Sequence, residues 1–277
     1  MKKNSFNQLV PPNFLLEKVQ ALLSDMQEDK DVHVKDIEKY YVVDTKLRIA
    51  DKRCKVTIND IFGRLIGSIQ NRSMMPNVIK YWKYPDMFDQ VLMRHDLKAI
   101  LDKYPSSETL YTAIRQHWPE GKDALSETPK TLWKQWCVGV LSAAKFLVQF
   151  KSVEDLRKSF GMLYDNKWSR AALPALLAME IDGLQFTLAC DFLKECGYDY
   201  PKPDVHITDV FEPILKTRDT YQVFKAVIAY AEELEMTAFQ FDKMIWLVCS
   251  GNFYLDHMQK CPDRKADLLE FVKSLTH

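Results

Sequence analysis

Apolar residues recur along most of this chain at spacings near 3.6, the repeat of a helix that buries one face. "PNFLLEKVQALLSDM" places them at positions 14, 15, 16, 19, 22, 23 and 26, and Pro12 suits the first helical position. "TINDIFGRLIGSIQNRS" carries Ile61, Phe62, Leu65, Ile66 and Ile69, with Thr57 or Asn59 as its cap. "MFDQVLMRHDLKAILDKY" and "SSETLYTAIRQHW" follow as predicted helices, the second capped by Ser106. "TPKTLWKQWCVGVLSAAKFLVQF" is the longest apolar pattern and predicts a central core helix. "SVEDLRKSF" reads as a capping box, Ser152 followed three residues on by Asp155. Six further helical patterns complete the chain: "AALPALLAME", "LQFTLACDFLKECG", "ITDVFEPIL", "TYQVFKAVIAYAEELE", "TAFQFDKMIWLVCSGNFY" and "RKADLLEFVKSL". "YYVVDTKLRIADKRCKVTI" is less regular, and its partial alternation predicts a small extended or β piece near residues 40–58.

Composition agrees with an all-α chain. Eight glycines in 277 residues are few for a β-sandwich or a doubly wound sheet. The length fits one large domain or two interleaved lobes, expected as a mainly helical region over 1–120 and a helical domain over 121–277. The formal net charge is zero, so any nucleic-acid contact must come from a local basic patch. The six cysteines form no CxxC pair and no cluster with histidine at zinc spacing, so neither a metal nor a cofactor is expected. No apolar run follows the basic residues of "MKKNSFNQLVPPNF", and none approaches about 18 residues anywhere, which predicts neither signal peptide nor membrane span. The expected setting is cytoplasmic, or nuclear in a eukaryote, and the expected state is a monomer. Nucleotide-loop, nucleophile-elbow and zinc-protease motifs are absent from the sequence.

One stretch breaks the helical rhythm in an informative way. In "GYDYPKPDVHITDVF" two prolines bracket Lys202, and Asp204 and His206 follow at once. Proline fixes its own φ and biases the residue before it toward extended backbone, so this is a stiff turn ahead of a helix. Asp204 therefore reads as an N-cap, a catalytic carboxylate, or both. Upstream, "ALLAMEIDGLQFTLACDFLKECG" reads as helix, tight turn at Gly183, then helix, with the hairpin over 175–196. Unpaired amides at the start of the second helix suit a phosphate.

Taken together, "IDGLQ" and "PDVHI" resemble the helix-hairpin-helix DNA glycosylases, the superfamily of endonuclease III, 8-oxoguanine glycosylase and alkylpurine glycosylase. That family carries a hairpin L-P-G-V-G-x-K and, further on, an acid in a D-x-H setting. Asp204 stands nineteen residues after Gln185, which occupies the position of the family lysine. The hairpin departs from the pattern, with Glu180 for the proline and Ile181 for the first glycine. The resemblance implies a two-lobed helical fold, double-stranded DNA as partner and base excision as activity. Without the lysine it implies monofunctional hydrolysis, with Lys202 the nearest substitute amine and Lys167 another. A second expectation keeps the scaffold and drops the chemistry, leaving a helical DNA-binding or protein-interaction module.

Other candidates group around that reading. Gly183, Lys167, Trp168 and Arg170 are candidate backbone contacts, cations beside an indole, although such a cluster also suits a plain solvated face. Gln70, Asn71 and Arg72 offer polar side chains to fill the gap left by an extruded base, or simply end a helix. Phe253, Tyr254 and His206 are candidates for the base pocket, with core packing as the alternative for Phe253 and backbone bonding for His206.

Overall fold

In a computed structural model the structure describes residues 10–26, 55–72, 75–166, 169–253 and 261–276. Among them the chain forms fourteen α-helices and no strand. They are α1 (Pro12–Met26), α2 (Ile58–Gln70), α3 (Met75–Ile79), α4 (Pro85–Val91), α5 (Leu97–Lys103), α6 (Ser107–Gln116) and α7 (Thr131–Leu147). The remainder are α8 (Val153–Tyr164), α9 (Ala172–Glu180), α10 (Phe186–Glu195), α11 (Val205–Leu215), α12 (Thr220–Glu233), α13 (Ala238–Ser250) and α14 (Lys265–Thr276). Most of the extended piece expected near residues 40–58 lies outside the described residues.

Two compact units emerge, but not with the expected boundary at residue 120. One unit is Met1–Val43 together with Tyr198–His277, and the other is Asp44–Gly197. The reason lies in the stripe on α1. Leu15, Val19, Leu22 and Leu23 are buried in one core with Ile207, Val210 and Phe211 of α11, Val227 of α12 and Phe241 and Ile245 of α13. Each such side chain contributes about 1.5–3 kcal/mol when taken out of water, so α1 belongs with the C-terminal helices. Tyr230 fastens it further, its hydroxyl donating to the Val10 carbonyl at 2.7 Å.

The second unit is built around α7, packed against α2, α3, α5 and α6. Trp133, Trp136 and Leu147 are buried there, and the Trp136 indole N–H donates to the Ile66 carbonyl of α2 at 3.3 Å. Gly139 lets α7 approach the turn between α9 and α10, because a Cβ there would stand 3.0 Å from the Asp182 carbonyl oxygen. Side-chain caps open the helices where the sequence places them. Thr57 and Asp60 form a reciprocal box on α2, Ser106 pairs with Thr109 on α6, and Ser152 accepts from the Asp155 amide on α8.

The single helix predicted over "MFDQVLMRHDLKAILDKY" is broken. Between α4 and α5 the residues Met93, Arg94 and His95 have φ of 51°, 51° and 64°. A left-handed turn of three non-glycine residues costs roughly 1–2 kcal/mol per residue. It is held by His95, whose Nε2 lies 2.9 Å from the Tyr81 hydroxyl, and it ends where the Asp96 carboxylate accepts from the Ala99 amide to cap α5.

Candidate active site around Asp204

The segment into Asp204 is docked on its own unit. Tyr200 is buried and stacks on Phe224 at 5.8 Å, and the Asp199 carboxylate accepts from the Phe239 amide at 3.0 Å. Pro201 and Pro203 are buried, and the Asp204 amide donates back to the Lys202 carbonyl at 2.7 Å. Asp204 then sits at the N-cap of α11 in extended backbone, with φ −81° and ψ −173°. Its Oδ1 accepts from the amides of His206 at 2.9 Å and Ile207 at 3.3 Å. Oδ2 takes no hydrogen bond among the described residues. One oxygen therefore orients the half-buried carboxylate on the first amides of α11.

His206 lies in the first turn of α11 with its Nδ1 buried and unbonded among the described residues. Burial lowers its pKa from the ordinary histidine value, Lys265 adds to the lowering, and the carboxylates of Asp204, Asp209 and Asp263 oppose it. Around the same helix start, Lys265 donates to Asp209 at 2.5 Å and Arg218 donates to Asp209 at 2.7 Å, and Arg218 also pairs with Glu212. Burial pushes the Asp209 carboxyl up, but these two cations outweigh it and hold it below the ordinary value. The Cys249 thiol, at the end of α13, is pushed up to about 12 by burial, which favours its protonated form. Lys265 and Asp263 had no signal in the sequence, because their approach to His206 depends on how the segment opening α14 packs on α11, whereas Asp209 follows His206 by three residues on the same helix and its nearness could have been read from that spacing.

The hairpin is α9, the turn Ile181–Gln185 and α10, within the other unit. Gly183 has φ of 80°, a left-handed conformation that a side chain would strain. The Asp182 amide is already committed, donating to the Ser142 hydroxyl at 2.9 Å. The amides of Gly183 and Gln185 carry no hydrogen bond among the described residues. Gln185 is exposed at the N-cap of α10 without capping it through its side chain.

The remaining candidates divide. Gln70 is a correction: only 2% exposed, it accepts from the Tyr81 amide at 2.6 Å and is structural, not a side chain free to enter a duplex. Phe253 is another, fully buried in the core with α11 and α13 and not walling a pocket. Asn71 is exposed, but its amide is tied to the buried Asp191 carboxylate at 2.9 Å. Arg72 is half-buried beside it. Arg170 lies over the Tyr164 ring at 4.6 Å from its centroid. Lys202 is half-buried two residues before Asp204. Lys167, Trp168 and Tyr254 lie outside the described residues. Among those described, no helix is long and apolar enough to cross a membrane, and no three His, Cys, Asp or Glu side chains gather as a metal site. No known protein family, curated protein or solved structure matches the chain.

Proposed function

We propose that the protein binds double-stranded DNA and hydrolyses the N-glycosidic bond of a base turned out of the duplex, with Asp204 as the catalytic carboxylate. The observation that carries this reading is the divided role of that carboxylate. Oδ1 is spent on two helix amides, and Oδ2 is available to a sugar or a water. As the C1′–N bond lengthens, positive charge grows on the deoxyribose, and a fixed anion beside it stabilises that state. Asp204 then takes a proton from the water that attacks C1′, while the base leaves with the bonding pair and is protonated from solvent. The amides of Gly183 and Gln185 at the opening of α10 suit a backbone phosphate. Gln185 has no amine, so the expected product is an intact abasic site and not a cleaved strand.

The test is a panel of labelled duplexes bearing different damaged and modified bases, scored for abasic sites with and without alkali. Base release that needs alkali to show as strand cleavage is the expected result. Cleavage without alkali that Lys202→Ala abolishes would replace hydrolysis by an amine-dependent route. Binding with no release on any duplex would leave a non-catalytic DNA-binding module.

A further inference from the structure

The left-handed turn between α4 and α5 has a feature that the proposed chemistry at Asp204 does not use. His95 approaches Tyr81 with Nε2 at 2.9 Å from the hydroxyl, and among the described residues that hydroxyl has no other hydrogen-bond partner. Tyr81 is only 4% exposed, so its O–H needs an acceptor there. A neutral ring with its proton on Nδ1 supplies one. Gly63 on α2 makes room for the pair, since a Cβ there would lie 3.2 Å from the imidazole and 3.5 Å from the Tyr81 oxygen. Phe62 adds an edge contact, with ring centroids 5.9 Å apart. A second acceptor waits nearby, the Asp89 carboxylate of α4 at 3.8 Å from the same Nε2.

We propose that the Met93–His95 turn is an acid-released latch, closed while neutral His95 accepts from Tyr81 and opened when a proton on Nε2 turns the ring toward Asp89. A protonated Nε2 can no longer accept, and once it donates to Asp89 instead of to the hydroxyl oxygen the buried Tyr81 hydrogen is left without a partner. Three left-handed residues then lose the side-chain contact that holds them, and the backbone is free to leave that conformation. The same release loosens the 3-10 turn Tyr81–Lys83, which carries Trp82, 53% exposed. Asp89 on α4 and Asp60 on α2 act on the ring, Arg64 on α2 acts on Tyr81, and Asp96 at the start of α5 is committed to the Ala99 amide. Burial outweighs the two carboxylates and lowers the His95 pKa from 6.5. The sign follows: above that value neither state binds the proton and the latch is closed. As the pH falls below it the unfolded chain is protonated first, and the stability of the closed turn is lost as the pH drops through the lower folded value.

Amide hydrogen exchange on the full chain between pH 7.5 and 5, corrected for intrinsic rates, tests this. The His95 amide, bonded to the Leu92 carbonyl at 2.7 Å, and the Asp96 amide, bonded to the Met93 carbonyl at 3.1 Å, report the turn. Val140 in the middle of α7 reports the unit as a whole. The latch predicts that protection at His95 and Asp96 falls by about 10-fold or more on acidification while Val140 is unchanged. His95→Gln keeps a neutral side chain at every pH and should abolish the pH dependence. Arg94→Gly relieves the strain at one of the three left-handed positions, so it should lose less protection in acid than the wild type while His95 still titrates by NMR. Constant protection in the wild type, an equal loss in His95→Gln, or unchanged loss in Arg94→Gly each overturns the latch.

Discussion

Two of the turns that end in a helix-capping aspartate, at Asp204 and at Asp96, are held in opposite ways. Asp204 caps α11 after Pro201, Lys202 and Pro203, a segment whose stiffness is written into its covalent rings. Asp96 caps α5 after Met93, Arg94 and His95, three residues with left-handed backbone and no glycine or proline among them. The first turn is stiff in itself. The second depends on contacts made by His95, first among them its hydrogen bond with Tyr81, fourteen residues away. Local stiffness suits a carboxylate that must keep its geometry, and a strained turn held from outside suits a part that moves.

The largest expected effect comes from removing that outside contact. His95→Ala should cost about 3 kcal/mol, from a buried Tyr81 hydroxyl without an acceptor and the lost packing on Phe62. Chemical denaturation measures it, and a loss under about 0.5 kcal/mol would put the two turns on the same footing. Asp96→Ala should cost about 1 kcal/mol as a lost cap, with exchange rising first in the opening turn of α5. The smallest effect belongs to the stiff turn. Pro203→Ala should lose about 0.5–1 kcal/mol, mostly through a more flexible unfolded chain, and leave the Asp204 cap intact by amide exchange at His206 and Ile207. Loss of that cap in Pro203→Ala would show that the turn needs both rings to hold its form.

The same contrast explains what could be read from the sequence. Helices with an unbroken apolar stripe and a Thr, Ser or Asp at their start were legible, as α2, α6, α8 and α11 illustrate. The Asp204 turn was legible because proline acts on its neighbours. The break at Met93–His95 was not, because nothing local demands it and the helical spacing of Met93, Leu97 and Ile100 runs straight through. Gln70 read as a polar helix end, yet the 3-10 turn that follows folds over it and buries it on the Tyr81 amide. Phe253, just past a helix end, looked like a rim residue until the return of the chain at Cys261, whose amide donates to the Gly251 carbonyl at 2.8 Å, closed the core over it. The grouping of α1 with α11–α14 was hidden for the same reason, as packing between remote segments leaves no mark on either one. At the candidate site Asp204 was readable, and so was Asp209 at helical spacing from His206, whereas Lys265 and Asp263 act on His206 only through tertiary structure.

The most direct test of the central claim is base release by Asp204→Asn on whichever modified duplex the wild type processes. Asparagine caps a helix as well as aspartate does, so fold and DNA affinity should be unchanged while the rate of release falls by about 100-fold or more. Release at the wild-type rate from a folded, DNA-binding Asp204→Asn protein would contradict it.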